Sequence, residues 1–377
     1  MGARAIDRIR RFIAGESVLA IAAVVAIASM AGNPLTPATA PIYAGFIDMH
    51  TLALLTSLMV VVGGLERAGL IESVRSRLMG RMGSTRSLAL VLVNVVFFSS
   101  MFITNDVALL AFVPLGLAMF LEASPRSSIA LVVALTVAAN LGSAAMPIGN
   151  PQNIYLVSAY GIGLGEFFRT MAPLAAVSYA CSCALALLVP REDISHGRAD
   201  SDEELDMKRV AAFAALFALC LLCVAGALSW QACLICVLAG TVLVDRAALR
   251  SIDFGLLATF VCFFVFVGNL KQSDAVSALL TSVLSGRELV VSALASQVVS
   301  NVPAAIMLSG FTDQGSALLL GTNIGGLGTP IASLASLISL RIYARMPHAH
   351  VARYLALFSI VNFTLLALLL AGTSLAL

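Results

Sequence analysis

The chain has 377 residues, of which 60% are hydrophobic and 11% charged, and its formal net charge is +2. Soluble domains carry about 25% charged residues, so the composition excludes a soluble enzyme, a disordered protein and, with so small a net charge, a nucleic-acid binder. Apolar runs such as 17–31 and 355–371 instead predict an all-α polytopic membrane protein that lies in the lipid bilayer.

The apolar runs predict nine membrane crossings and two helical hairpins. In chain order the crossings lie at 15–32, 50–66, 128–160, 167–189, 210–228, 231–245, 252–270, 314–341 and 351–375, and the hairpins at 88–121 and 287–312. The arginines before the first run would also suit a signal peptide, but we interpret this run as the first membrane helix. Three prolines predict a loop or a short surface helix over 34–47.

Two of these crossings are too long for a simple span. Both 128–160 and 314–341 contain Gly, Pro and Asn near their middle, which predicts broken helices. The polar stretch 190–209 predicts a cytoplasmic linker between an N-terminal half, 1–189, and a C-terminal half, 210–377. Each half therefore has one hairpin and one broken helix.

The distribution of positive charge predicts the orientation. With the N-terminus in the cytoplasm and the C-terminus outside, 19 of the 22 Lys and Arg residues lie on the cytoplasmic side. The exceptions are Arg169, Lys271 and Arg287. This bias follows the positive-inside rule and predicts a multi-pass protein of the inner membrane.

Three stretches of the first half have counterparts, in the same order, in the second half. The pairs are Ile47-Asp48 with Ile252-Asp253, Thr104-Asn105 with Ser300-Asn301, and Asn140-Leu141-Gly142 with Asn323-Ile324-Gly325. In the predicted topology the matched segments enter the membrane from opposite sides. The sequence therefore predicts two inverted repeats, the usual construction of secondary transporters.

The hairpin tips and helix breaks are the predicted binding site, because non-helical backbone is tolerated at membrane depth where it lines a cavity or binds a ligand. Helix N-termini after the tips favour an anion, and the preceding carbonyl and hydroxyl oxygens suit Na⁺. The candidate substrate-binding residues are Thr104, Asn105, Asp106, Asn150, Asn153, Ser300, Asn301, Val302 and Thr329. The candidate ion-binding residues are Ser100, Thr104, Asn105, Asp106, Asn140, Gly142, Ser296, Ser300, Asn301, Asn323 and Gly325. The alternative is that these residues only cap the hairpin helices.

Asp106 is the only acidic residue predicted to lie deep in the membrane, and its counterpart is Val302. An intramembrane carboxylate indicates a bound cation or a transferred proton, and the alternative is a helix cap. The pairs Cys181/Cys183, Cys220/Cys223 and Cys233/Cys236 lie in apolar helical runs, which favours a packing role over a soft-metal or arsenite site. We expect no cofactor and no metal ion other than Na⁺.

Four stretches together resemble a known superfamily. They are Phe102 to Ala108 at the first tip, Asn140-Leu141-Gly142 with Pro147 to Asn153 in the first break, Ser300 to Ala304 at the second tip, and Thr322 to Gly326 with Thr329-Pro330 in the second break. This set resembles the ion transporter superfamily, which includes arsenite permeases, sodium/proton antiporters, citrate carriers and divalent-anion:sodium symporters. The resemblance extends from about residue 47 to the end of the chain.

The resemblance implies an elevator transporter, in which hairpins and broken helices form a mobile transport domain and the other helices form a scaffold that dimerises. In the symporters, two Ser-Asn-Thr tips bind substrate carboxylates and frame two sodium sites. Thr104-Asn105 and Ser300-Asn301 match the first two tip positions, whereas Asp106 and Val302 depart from the third. The tips are closer to the arsenite-permease branch, and a charged Asp106 would repel a dianion.

The sequence therefore predicts a secondary active transporter of a small anion or oxyanion, coupled to Na⁺ or H⁺, that works by elevator-type alternating access. The alternatives are efflux of arsenite or antimonite and Na⁺/H⁺ antiport through Asp106. An enzyme is not expected, because no nucleophile–base pair or metal cluster is predicted at membrane depth. The expected partners are the small anionic substrate, the bilayer and a second copy of the chain.

Overall fold

The computed structural model describes residues 17–32, 35–70, 73, 84–123, 127–192, 205–346 and 349–376. The N-terminal arginines and residues 193–204 of the predicted linker lie outside these ranges. The described residues form 17 α-helices, with no strands among them. The prediction of an all-α protein is confirmed.

The helices follow one another with short connections. In the first half they are α1 (Ser17–Ser29), α2 (Ala40–Phe46), α3 (Met49–Arg67), α4 (Thr85–Ile103), α5 (Asn105–Ala123), α6 (Ser127–Ser143), α7 (Pro151–Tyr160) and α8 (Leu164–Leu187). In the second half they are α9 (Met207–Val224), α10 (Trp230–Asp245), α11 (Phe254–Lys271), α12 (Asp274–Leu284), α13 (Glu288–Val299), α14 (Asn301–Ser309), α15 (Gly315–Ile324), α16 (Leu334–Ala344) and α17 (Val351–Ala376). Short 3₁₀ helices cover Met30–Gly32, Arg246–Ser251 and Pro330–Ala332.

Seven described helices are long and apolar enough to cross a bilayer, namely α3, α4, α8, α9, α10, α11 and α17. The nine crossings predicted from the sequence include the two broken segments, and each of these forms two helices shorter than 18 residues: α6 with α7, and α15 with α16. The predicted crossing at 15–32 contains the 13-residue α1. The chain is a polytopic membrane protein.

The two predicted hairpins differ in length. The arms α4 and α5 have 19 residues each, close to the thickness of a bilayer at about 1.5 Å per residue. The arms α13 and α14 have 12 and 9 residues and are too short to cross. The sequence analysis did not predict α12, which is bent by 112° relative to α13, because its mixed polar and apolar residues form no apolar run of spanning length.

The matched Ile-Asp motifs start matched helices. The Asp48 carboxylate accepts a hydrogen bond from the Thr51 backbone N–H (3.1 Å) at the start of α3, and Asp253 accepts one from Leu256 (2.9 Å) at the start of α11. Both are N-caps, which satisfy backbone donors that the first turn leaves free. Helix α3 packs against α9 and α10, and α11 packs against α1.

The broken helices hold the hairpins. Helix α6 packs along α4, and α15 packs along α13, so each hairpin lies against the broken helix of its own half. The second parts of the broken helices cross over, because α7 packs against α14 and α16 packs against α5. This exchange brings both tips and both breaks to one place in the molecule.

Candidate functional site

Both hairpin tips have the same unusual backbone. Thr104, between α4 and α5, has φ 67° and ψ 154°, and Ser300, between α13 and α14, has φ 73° and ψ 156°. Among the described residues these are the only two residues other than glycine with positive φ. Such backbone costs about 1–3 kcal/mol and persists where the surroundings impose it, often at a binding site. The tips, matched in sequence, are therefore matched in conformation.

An asparagine starts the helix after each tip. The Asp106 backbone N–H donates to Asn105 Oδ1 (3.0 Å), and the Val302 N–H donates to Asn301 Oδ1 (2.9 Å). One oxygen of each side chain therefore satisfies a backbone N–H of the first turn, and ligand binding by these residues stays a prediction. This hydrogen bond leaves the amide groups free for other contacts, and Asn105 Nδ2 donates to Asn140 Oδ1 (3.2 Å).

A glycine in each break allows the hairpin to approach closely. A Cβ added at Gly142 would collide with the Phe97 carbonyl oxygen and with Ser100 Oγ, and a Cβ at Gly325 would lie 2.8 Å from Ala293 Cα and from the Ser296 side chain. The hydroxyls of Ser100 and Ser296 donate to carbonyls of their own helices (2.9 and 2.7 Å). These four predicted ion-binding residues thus form the contact between hairpin and break, and they do not line the cavities described below.

The break asparagines bond to the opposite half. In the first half, Asn140 Oδ1 accepts from Ser333 Oγ (2.8 Å), and Asn140 Nδ2 donates to Ser336 Oγ (3.1 Å). All three side chains are buried, with at most 4% of their surface exposed. A buried amide with both ends satisfied avoids a penalty of about 1–3 kcal/mol per unpaired group.

The second half repeats this pattern with the roles exchanged. Asn323 Oδ1 accepts from Asn150 Nδ2 (2.9 Å), and Asn323 Nδ2 donates to Asn153 Oδ1 (2.6 Å). Continuing the alignment of Asn140 with Asn323 at constant spacing pairs Asn150 with Ser333 and Asn153 with Ser336. Asn140 and Asn323 therefore each have two partners in the opposite half, at matched positions. Each accepts a hydrogen bond from the first partner and donates one to the second. We call these six residues the reciprocal network.

A cavity of about 110 Å³ joins the two tips, and we call it the tip cavity. Five predicted substrate-binding residues line it: Asn105, Asp106, Ser300, Asn301 and Val302. The sequence analysis missed Asp253 and Arg341, which line the same cavity. The signal for Asp253 was present, since it belongs to a matched motif, but nothing in the sequence placed the end of α16 near the tips.

A second cavity of about 380 Å³, the flanking cavity, lies between α3 and α5. Thr104, Glu66 and Ser251 line it, and Asp106 and Asp253 line both cavities. Asp106 Oδ1 is buried and has no hydrogen-bond donor among the described residues. A buried carboxylate oxygen without a donor calls for a physical explanation, and Asp106 is the residue of the first tip that lines both cavities.

Thr329 lies in the second break and not on the cavities. Its backbone N–H donates to Gln297 Oε1 (2.8 Å), and its hydroxyl donates to the Gln297 carbonyl oxygen (3.0 Å). Gln297 Nε2 in turn donates to the carbonyl oxygens of Gly325 and Leu327 (2.8 and 2.9 Å). Gln297, which the sequence analysis also missed, therefore satisfies the non-helical backbone of this break.

Three cysteines are buried on two neighbouring helices of the second half. Cys220 and Cys223 on α9 and Cys233 on α10 are at most 3% exposed. Within the ranges that the structure describes, no group of three or more His, Cys, Asp or Glu could hold a metal ion.

Comparison with known proteins gives a family and several relatives. Residues 12–314 match the family model CitMHS, described as citrate transporter. The chain is 33% identical over 305 residues to the inner membrane protein YbiR of Escherichia coli, and the alignment covers 78% of this chain and 80% of that protein. It is 30% identical over 328 residues to an uncharacterised transporter of Methanocaldococcus jannaschii, covering 86% and 89%. A silicon efflux transporter of Oryza sativa is 28% identical over 166 residues, covering 44% and 34%.

Proposed function

Because the chain belongs to the CitMHS citrate transporter family, which confirms the superfamily resemblance, we propose that it is a secondary active transporter of a small oxyanion, driven by a gradient of Na⁺ or H⁺. The family and the relatives are named as transporters or membrane proteins, in agreement with the expectation that the chain is not an enzyme. A relative is an inner membrane protein, and we propose the same membrane here.

The reciprocal network is the observation that carries the proposal. Four hydrogen bonds with the same direction at matched positions would not arise from unrelated helices, and they support a duplicated fold with a pseudo-twofold axis. Combined with the orientation predicted from charge, this axis lies in the membrane plane, which gives two inverted repeats. Transporters of this construction hold their cargo at broken helices near the midplane.

The tip cavity offers partners for an anion. Helices α5 and α14 begin at it, and their N-terminal dipoles favour negative charge. Arg341 and the amide groups of Asn105 and Asn301 add donors. Its volume of about 110 Å³ is on the scale of a cavity of about 150 Å³ that holds benzene, so the cargo at this position is small.

The same cavity offers partners for a cation. Asp106 and Asp253 would leave a bound anion with net repulsion unless a cation or proton accompanies it. Binding of both together is the physical basis of coupling, because neither is then favourable alone. Candidate oxygen ligands for Na⁺ at the cavities are Asp106, Thr104 and Ser300.

We propose alternating access because the tip and flanking cavities both open on one side of the protein. The cavities open beside Glu66, Asp253 and Arg341, which the charge distribution assigns to the cytoplasm. We propose that the structure is the inward-open state of an elevator, with hairpins and broken helices as the transport domain. A scaffold that includes α3, α9, α10 and α11 would form the homodimer interface.

A neutral metalloid oxyacid is the second candidate cargo. The two carboxylates of the tip cavity repel a dianion but not neutral arsenite, antimonite or silicic acid. Relatives include a putative transporter arsB of Dictyostelium discoideum and the silicon efflux transporter of Oryza sativa. Na⁺/H⁺ antiport through Asp106 remains the third candidate.

Purified protein in proteoliposomes tests these proposals. We expect radiolabelled phosphate, arsenate or citrate, or in the second case arsenite or silicic acid, to accumulate only when a Na⁺ or pH gradient is imposed. Antiport instead would give Na⁺-dependent proton flux without any of these solutes.

Two variants at the tips test whether this site carries the flux. We expect Asn105→Ala and Asn301→Ala each to lower the flux strongly with little change in melting temperature, because each removes amide donors at the cavity. Absence of gradient-driven flux for every solute, in protein shown to be folded, would count against transport by this site.

A further inference from the structure

A small polar cluster joins α7 to α3 on the side that the charge distribution predicts to face outward. The Ser158 hydroxyl, near the end of α7, donates to Asp48 Oδ2 (3.2 Å) and lies 2.8 Å from His50 Nδ1. Because a hydroxyl has one proton, Ser158 accepts the second bond from the imidazole. The three residues join α7, a broken-helix segment, to the N-terminus of α3. Helix α7 packs against α3 at this end.

The matched residues at the other end are Asp253 and Arg341. Asp253 matches Asp48 as the N-cap of α11, and constant spacing from Asn140 and Asn323 pairs Ser158 with Arg341, near the end of α16. Both side chains are exposed and line the tip cavity. Among the described residues no ion pair joins them. Asp253 Oδ1 accepts from the Leu256 N–H (2.9 Å), and no hydrogen bond to Oδ2 is found within the described part of the chain.

We propose that Asp253 and Arg341 form an ion pair in the opposite, outward-open state and close the tip cavity there, at the positions that match the Ser158–Asp48 contact present here. The inference rests on the proposed alternating access. In an inverted repeat, the second state exchanges the environments of the two halves. Helix α16 would then dock on α11 as α7 docks on α3, and the guanidinium of Arg341 would reach the free carboxylate oxygen.

The pair is a positioning device and does not have to touch the cargo. Opposite charges that meet in one state and separate in the other favour the state in which they meet. The two ends differ in chemistry, because a hydroxyl and an imidazole join the helices at one end and an ion pair would join them at the other. Neutralising either charge should therefore shift the equilibrium toward the inward-open state, whereas Asp48→Asn, which keeps an acceptor oxygen, should shift it little.

Two matched positions report on the equilibrium. Thr259 lines the tip cavity, and its counterpart Leu54 lines a cavity of about 240 Å³ beside His50 and Ser158. Single variants Thr259→Cys and Leu54→Cys are labelled with a membrane-impermeant maleimide, from the cytoplasmic side and the outer side respectively. Labelling of the chain without the added cysteine is subtracted. The ratio of outer to cytoplasmic labelling measures the equilibrium without any substrate.

We expect Asp253→Asn and Arg341→Ala each to lower this ratio roughly threefold or more. Asparagine keeps the cap of α11, so loss of folding does not explain the change. The charge swap Asp253→Arg with Arg341→Asp should restore the ratio relative to either swapped single variant. Arg345→Ala, one turn further along α16 and also exposed, is the control and should leave it unchanged.

A ratio unchanged in both single variants, or a swap that is no better than its single variants, would overturn the ion pair. These outcomes are independent of cargo flux. If flux is found and the labelling ratio does not change, the proposed Asp253–Arg341 ion pair is wrong and the proposed transport function is retained. If the labelling ratio changes and no solute is carried, the proposed cargo is wrong and the proposed ion pair is retained.

Discussion

Asp106 is where the two hairpin tips differ in charge, since Val302 occupies the matched position. The neighbouring asparagines have the same cap geometry in both tips, so the difference is chemical and not conformational. Asp106 lines both cavities, and its buried Oδ1 has no donor within the described part of the chain. A carboxylate in this position costs stability, and we infer that coupling is the reason it is present.

Asp106→Asn should separate coupling from binding. The amide keeps the size and the hydrogen-bonding capacity of the side chain but removes the charge, so we expect solute exchange without a gradient to continue and accumulation to fail. A tenfold gradient of one coupled cation contributes about 1.4 kcal/mol, or roughly a tenfold concentration ratio of the solute. Uptake into proteoliposomes under an imposed gradient measures the accumulation of solute.

Asp274→Asn is the matched control for this prediction. Asp274 is exposed at the start of α12 and does not line the described cavities, so its loss should leave accumulation unchanged. If Asp106→Asn accumulates solute as well as the unaltered chain does, Asp106 is not the coupling residue.

At the scale of the helices, the packing of each hairpin on the broken helix of its own half depends on close backbone contact. Gly142 and Gly325, at matched positions, allow α6 and α15 to reach α4 and α13. In lipid, helix association depends on such contacts between small residues, because no hydrophobic effect drives it. Any side chain at these positions would push a hairpin away from its break and open the site.

Gly142→Ala and Gly325→Ala should therefore destabilise the protein to a similar extent. Overpacking costs about 1–3 kcal/mol, and we expect a lower melting temperature together with loss of flux in both variants. Thermal unfolding in detergent and flux in proteoliposomes measure the two effects.

Gly165→Ala is the control at the element scale. Nothing lies within 4 Å of a Cβ added at Gly165, in the first turn of α8. Alanine there should leave stability unchanged or raise it by up to about 1 kcal/mol, since it favours the helix. A Gly142→Ala variant as stable as this control would show that the close contact is not required.

At the scale of the whole molecule, orientation decides which state the structure represents. The charge count predicts that the N-terminus and the side with Glu66, Asp253 and Arg341 lie in the cytoplasm. With the opposite orientation, the same cavities would open outside and the structure would be the outward-open state. The proposed inverted repeat would make the fold similar in both orientations, so the prediction of orientation rests on charge alone.

Reporter fusions test the orientation directly. We expect alkaline phosphatase, which is active only outside the cytoplasm, to be active when fused after the C-terminus and inactive when fused within 190–209. A cytoplasmic reporter such as green fluorescent protein should give the reverse pattern. Phosphatase activity from the linker fusion would contradict the predicted topology.

Periodicity and composition were enough to predict the helices, since an apolar run in lipid has no other way to satisfy its backbone. They also located the tips, because Thr104-Asn105 and Ser300-Asn301 interrupt apolar runs with residues that cap helices. Helix α12 was missed, because a helix that does not span leaves a weaker pattern. Coupling to Na⁺ or H⁺ and dimerisation stay predictions, since these properties depend on ligands and partners.

The sequence by itself determined that this chain lies in a membrane, where its helices break and which residues of its two halves correspond, because these properties depend on local hydropathy and on spacing along the chain. Only the tertiary structure decided what each polar residue contacts. The crossing of α7 and α16 to the opposite hairpins turned Asn140 and Asn323 into links between the halves and brought Asp253 and Arg341 to the tip cavity. Such contacts join positions far apart in the chain, and packing in three dimensions determines them.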